Sequence, residues 1–252
     1  YCGEPDVATC QDCVDDHGSL LTEDISVAAL AARSSAFLRS ARNVVTPSHD
    51  AAHRMRRHFP GLSPHVVPHD SDDAIAWRPA PAIRHGGRLR ICVLGAIGLH
   101  KGYDILLACA RNAASRSLDL EFVVVGSTTD DARLLATDRV FITGTYAPDE
   151  AVGLVGAQQA AFGFLPSIWP ETWCMALSDL WRAGLRVAAF DLGAPAERIR
   201  HTGRGIVLPL HLSAGAINDV LIANTTSSAS TLLTPVRSVP PSDKSRVVIQ
   251  SQ

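Results

Sequence analysis

From Arg88 onward, short apolar or β-branched runs alternate with stretches of helical periodicity. The runs are RICVLGAI from Arg90, LEFVVVG from Leu120, RVFITG from Arg139, AAFGFLP from Ala160, RVAAFD from Arg186 and GIVLPL from Gly205. Helical segments opening near Tyr103, Asp130, Pro148, Glu171 and Ala194 separate them, several beginning on Asp, Pro or Thr as helix starts require. Strands joined by crossover helices predict a doubly wound, Rossmann-like parallel α/β sheet. In such sheets ligands sit beyond the carboxyl ends of the strands, which directs attention to the loops after Ile97, Gly126, Gly144 and Leu165.

The pattern before Arg88 differs. A helical stretch from Leu21 to Arg42 leads to one strand-like run, NVVTPS, then a basic helix AAHRMRRHF and a Pro- and His-rich linker. One strand cannot make a sheet, so this part reads as a partial α/β segment. Beyond about Ala223 the chain becomes rich in Ser, Thr and Pro, a composition that buries too little apolar area to offset its ordering entropy. The expected division is therefore 1–85 as an incomplete N-terminal part with linker, 86–223 as the Rossmann-like domain and 224–252 as a disordered tail.

Composition narrows the function. Of 252 residues 46% are apolar, and the formal net charge is -2 with basic and acidic residues interspersed. That is a soluble globular profile with no electrostatic footprint for nucleic acid, and it points to a small-molecule ligand. No apolar run approaches the length that spans a bilayer, so a cytoplasmic protein is expected, compatible at most with peripheral membrane association. The sequence starts at Tyr1 and opens on a cysteine cluster, which leads us to expect that something upstream is missing. Cys92, Cys109 and Cys174 lie in apolar segments and read as small buried hydrophobes.

The most specific chemistry lies in PSIWPETWCMALSDLWRAGLRVAAFDLGAPAERIR. A strand ends at a proline, Glu171 opens a helix, and Asp179 follows eight positions later, about 12 Å along the axis at 1.5 Å per residue. A nucleotide sugar lying along such a helix would meet Glu171 with its hexose and Asp179 with its ribose. The free N–H groups of Thr172, Trp173 and Cys174 would face the diphosphate. The competing reading is a first-turn acidic residue favoured by the helix dipole and an ordinary solvated helix position.

This segment resembles the Glu, seven residues, Glu motif of the family 4 glycosyltransferases, with its preceding Pro-Ser and its following Gly-rich turn, over roughly Arg88 to Leu210. The resemblance implies a GT-B donor domain, with Glu171 on the transferred sugar, Asp179 in place of the family's Glu on the ribose, and the loop ending at Glu197 closing the site. LGAIGLHKGYDILLACA resembles the family's first-strand loop, where an Arg and a Lys clamp the pyrophosphate. Lys101 matches the lysine, and Ala96 stands at the arginine's position, leaving His100 as a candidate substitute. In TGTYAPDEAVGLVGAQQA, Gly144 and Tyr146 match the loop under the base, the alternative for Gly144 being a tight strand-to-helix turn.

By that resemblance Glu171 and Lys101 are the catalytic candidates, acting by positioning and by stabilising the departing diphosphate. The chain would move a hexose with retention from a nucleotide-diphosphate sugar to a glycan or lipid-linked acceptor hydroxyl, without metal or other cofactor. The alternatives are a nucleotide-sugar-binding module without transferase activity and an epimerase of the same architecture, for which no extra acid and base groups are evident. Cys2, Cys10, Cys13 and His17 have a ligand count and a C-x-x-C pair compatible with a structural zinc site, free thiols or an upstream-completed cluster being the alternatives. The histidines around the basic helix fall on no common face with a carboxylate and read as solvated.

Overall fold

A computed structural model describes residues 1–80 and 84–226. All six strands expected after Arg88 form, as β4 (Arg88–Leu94), β5 (Leu120–Val125), β6 (Val140–Ile142), β7 (Phe162–Leu165), β8 (Val187–Phe190) and β9 (Gly205–Leu208). They lie in the order β6-β5-β4-β7-β8-β9, all parallel. This is the doubly wound arrangement, with chain direction across the sheet reversing between β4 and β7. A seventh strand, β3 (Arg84–His85), pairs antiparallel with β4 through a two-residue turn. That turn is Gly86-Gly87, both at positive φ as a hairpin of this length requires.

Alternate residues of each central strand serve opposite faces. Ile91, Val93, Phe122, Val124, Phe162 and Phe164 enter one core, packed under α4 (Tyr103–Ser115) and α9 (Ala214–Thr226). Cys92, Leu94, Val123, Val125 and Leu165 enter the other, with Leu177, Leu180 and Trp181 of α7 (Met175–Arg182). Both faces being covered explains why these strands are mostly apolar, the Arg90–Glu121 pair at the start of β4 and β5 being an exception. The remaining helices of this half are α5 (Asp131–Leu135), α6 (Ala151–Ala157) and α8 (Gly193–Thr202). Residues 224–226, assigned from sequence to the tail, instead close α9, and the rest of that expected tail, 227–252, lies outside the described residues.

The N-terminal part corrects two expectations. A second strand pairs with the first: β1 (Val45–Thr46) and β2 (His65–Val66) form a small parallel sheet around α3 (His49–His58). The linker sequence hid it because two residues carry no periodicity. The cysteine-bearing segment forms a helix, α1 (Val7–His17), opened by the Asp6 side chain accepting from Thr9 N. It packs on α2 (Val27–Ser40), which occupies the later part of the predicted 21–42 helix. Among the described residues no group of His, Cys, Asp or Glu is placed to hold a metal. Cys10 bonds the Pro5 carbonyl, His17 turns its ring to the Cys13 carbonyl, and Cys2 is exposed, so the zinc arrangement is not formed.

Candidate active site

The reversal between β4 and β7 leaves a crevice at their carboxyl ends. It is a pocket of about 80 Å³ lined by Gly95, Ala96, Lys101, Ser167, Glu171 and Cys174, among others. Lys101 reaches it from the loop after β4. That loop is fixed by Gly102, which sits in the left-handed region at the start of α4 against the Pro166 carbonyl. A Cβ there would lie 2.0 Å from that oxygen, so only glycine lets the β4 and β7 loops close on each other.

Across the crevice, Lys101 Nζ meets Glu171 Oε2 at 2.7 Å. The ammonium is about one-third exposed and the carboxylate nearly buried, at 36% and 11% respectively. The two catalytic candidates, 70 positions apart in sequence (171 − 101), thus share one site. Glu171 itself is not in a helix: α7 begins at Met175, so the notion of two carboxylates on one axis, and of a helix N-terminus formed by Thr172, Trp173 and Cys174, is corrected. Prolines 166 and 170 keep the segment irregular, because the residue before a proline avoids the helical region. The Glu171 carbonyl instead accepts from Ala194 N at 2.8 Å, tying this loop to the first turn of α8.

Within the loop the candidates part company. Thr172 is exposed, whereas Trp173 is buried, with Arg198 over its ring at 3.8 Å. Cys174, at φ 72°, is a non-glycine residue in left-handed backbone. Its thiol is pushed up to about 12, first by burial and then by the neighbouring Glu171 charge, which makes it no nucleophile at neutral pH.

A second group lies further along. Asp179 pairs with Arg182 Nη1 at 2.7 Å, and its charge, after burial, holds the Tyr146 phenol above its ordinary value. The Asp179 charge is thus felt at the Tyr146 ring. Gly144 follows β6 at φ 87°, its N–H on the Gly126 carbonyl at 3.0 Å. Glu197 faces elsewhere: its carboxylate accepts from His49 N at 3.0 Å and Asp50 N at 2.6 Å, capping α3. It also lines a cavity of about 560 Å³ between the N-terminal part and α8.

Sequence reasoning missed Arg198, Asp72 and Arg182, which hold the loop and α7 in place. An inward-facing arginine in the amphipathic pattern of α8 was the available signal. No curated protein matches the chain. The family model described as glycosyl transferases group 1 matches residues 88–222, more than half of the sequence.

The chain belongs to the glycosyl transferases group 1 family.

Solved structures agree with that assignment at the level of fold. S. aureus TarM aligns with a TM-score of 0.59 at 12% identity, over 77% of this chain and 38% of its own. Anabaena HepE in complex with UDP aligns at 0.60 and 17%, over 82% and 61%. Sucrose-phosphate synthase from Thermosynechococcus elongatus aligns at 0.61 and 14%, over 85% and 56%. The chain thus spans between about two-fifths and three-fifths of the length of these solved structures. They share its Rossmann-like α/β fold. Among the described residues no helix is long and apolar enough to cross a membrane.

Proposed function

We propose that this chain is the donor-binding part of a retaining glycosyltransferase, moving a hexose from a nucleotide-diphosphate sugar to a hydroxyl of a glycan or lipid-linked acceptor at the cytoplasmic side. The observation that carries this reading is the Lys101–Glu171 contact across the β4/β7 crevice. A cation and a carboxylate held 2.7 Å apart suit the two ends of one bond: ammonium toward the leaving diphosphate, carboxylate toward the sugar hydroxyls. When the donor enters, its negative charge competes with Glu171 for Lys101, and the freed carboxylate accepts from the hexose. Tyr146 and Asp179 offer a flat ring and a carboxylate for the nucleoside. The complexes of HepE with UDP and UDP-glucose make uridine the first nucleotide to try.

The test is calorimetric titration of the folded chain with UDP, GDP and ADP and with their hexose conjugates. One of the three diphosphates binds, and Lys101→Ala weakens it about tenfold, the loss of one charge-assisted contact. A folded sample that binds none of them rejects the proposal.

A second reading is favoured by Ala96, which lines the pocket and leaves Lys101 as its one cationic lining residue among the described residues. With one positive charge against a diphosphate, the site would hold donor without activating it. Donor hydrolysis by the bound complex distinguishes the two: turnover supports transfer, and binding with no turnover supports a binding module.

A further inference from the structure

Arg198 is 2% exposed and lies on α8, outside the Lys101–Glu171 pocket. A guanidinium has five N–H donors. Nη1 donates to the carbonyls of Trp173 and Cys174, each at 2.9 Å. Nη2 donates to Ser178 Oγ at 2.6 Å and to Asp72, and Nε donates to the same carboxylate at 3.1 Å. All five donors are used. The guanidinium also lies over two aromatic rings, 3.8 Å from the Trp173 centroid and 5.2 Å from that of Trp181.

Three separate pieces of chain converge on this one side chain. The first is the 171–174 loop, through two consecutive carbonyls. The second is α7, through Ser178. The third is the linker that joins the N-terminal part to the sheet, through Asp72, in a short 3-10 turn. The loop needs such a hold, since Cys174 starts α7 in left-handed backbone with no side-chain cap. Non-glycine residues stay in that conformation only when their surroundings fix it.

We infer that Arg198 is the positioning residue of the donor loop: it sets the 171–174 backbone, and with it the Glu171 carboxylate, and through Asp72 makes that setting depend on the linker. The functional half of this inference rests on the donor-site reading above; the structural half does not. A lysine in its place has one ammonium on a flexible stem and cannot serve two carbonyls, a hydroxyl and a bidentate carboxylate together.

The experiment uses the buried thiols as reporters. Cys174 is in the loop, while Cys92 and Cys109 are buried in β4 and α4. Iodoacetamide labelling of the folded chain, read by peptide mass spectrometry, follows all three at once. Arg198→Met, and independently Asp72→Asn should the first variant not fold, is expected to speed labelling of Cys174 at least tenfold and leave Cys92 and Cys109 at their wild-type rates. An unchanged Cys174 rate overturns the inference, and so does a parallel rise at all three thiols, which is general loosening. The second arm compares UDP with UDP-glucose by calorimetry. In Asp72→Asn the affinity gained from the hexose shrinks while UDP itself binds as before; equal losses for both ligands overturn the positioning of Glu171. Should the wild-type chain bind neither, the donor reading fails, and the Cys174 rates still judge the role of Arg198.

Discussion

The two parts of the chain are held together by different means. In the sheet half, strands such as β5 are buried at every position, and α4 contributes Leu106, Leu107, Cys109, Ala110 and Ala113 to a continuous core. In the N-terminal part, α1 and α2 bury no residue at all, and α3 buries only Ala51 and Ala52. Charged and capping contacts fix it instead. Arg54 and Arg57 grip Glu4, Glu197 caps α3, and Arg198 holds Asp72. Hydrophobic burial scales with area and tolerates small changes of angle, whereas capped helix ends and ion pairs depend on individual partners. The sheet half should therefore fail through lost volume, and the N-terminal part through the loss of single polar groups.

The largest expected effect tests the first half of that contrast. Phe164 is fully buried in β7 and meets Phe190 edge-on at 6.2 Å. Phe164→Ala should destabilise by about 3–5 kcal/mol, against less than about 0.5 kcal/mol for Phe37→Ala in α2. Phe37 is 72% exposed, so its truncation leaves no cavity. Thermal unfolding of the two variants beside the parent measures both, at roughly 2–4 °C per kcal/mol for a domain of this size. Comparable losses would mean that α2 has a core of its own and break the comparison.

A smaller effect tests the join. Glu197→Ala removes the acceptor of two N–H groups in the first turn of α3, while Ser48 still accepts from Ala51 N at 3.2 Å. The expected cost is about 1–2 kcal/mol, confined to α3. Hydrogen exchange should show its amides about tenfold less protected, with β4 and β5 unchanged. Loss of protection in the strands as well would make the two parts one cooperative unit.

The same contrast explains what the sequence could reveal. Strands β4 to β9 were readable because burial on both faces imposes apolar runs, and the lysine and glutamate of the candidate crevice stood out because each lies in the loop that follows a strand, Lys101 beside Gly102 and Glu171 beside Pro170. The start of α7 was not readable. Glu171 looks like a helix opener, yet the helix starts only at Met175, and the Trp173 and Cys174 carbonyls just before it are taken by Arg198, 27 positions after Glu171 (198 − 171). The β1/β2 pair, the Arg198–Asp72 link and the redirected Glu197 all join residues far apart in sequence, and no local periodicity records such pairs. A C-x-x-C spacing suggested metal because sequence spacing alone does not give direction; on α1 the donors do not converge.

The smallest effect tests the electrostatic hold on the N-terminal part by pH. Burial alone would raise the Glu4 carboxyl, but hydrogen bonds from Arg54 and His58 and the Arg54 charge outweigh it and hold the group below its ordinary 4.5. A carboxylate depressed in the folded state contributes stability that is fully present above its unfolded value and is lost as pH falls through the folded one. The contribution should be no more than about 1 kcal/mol, since the partners are partly solvated and the pair is screened by salt. Scanning calorimetry of Glu4→Gln and the parent should therefore find a small difference in Tm at pH 7, reduced in 1 M salt. That difference should close as the pH is lowered from 4.5 through the depressed folded-state value, because the parent's carboxyl then becomes as neutral as the amide. A gap that fails to narrow at all as the pH falls would mean that Glu4 acts through packing or through its neutral hydrogen bonds, and the charged hold on this part of the chain would then rest on its other contacts, Glu197 on α3 and Arg198 on Asp72.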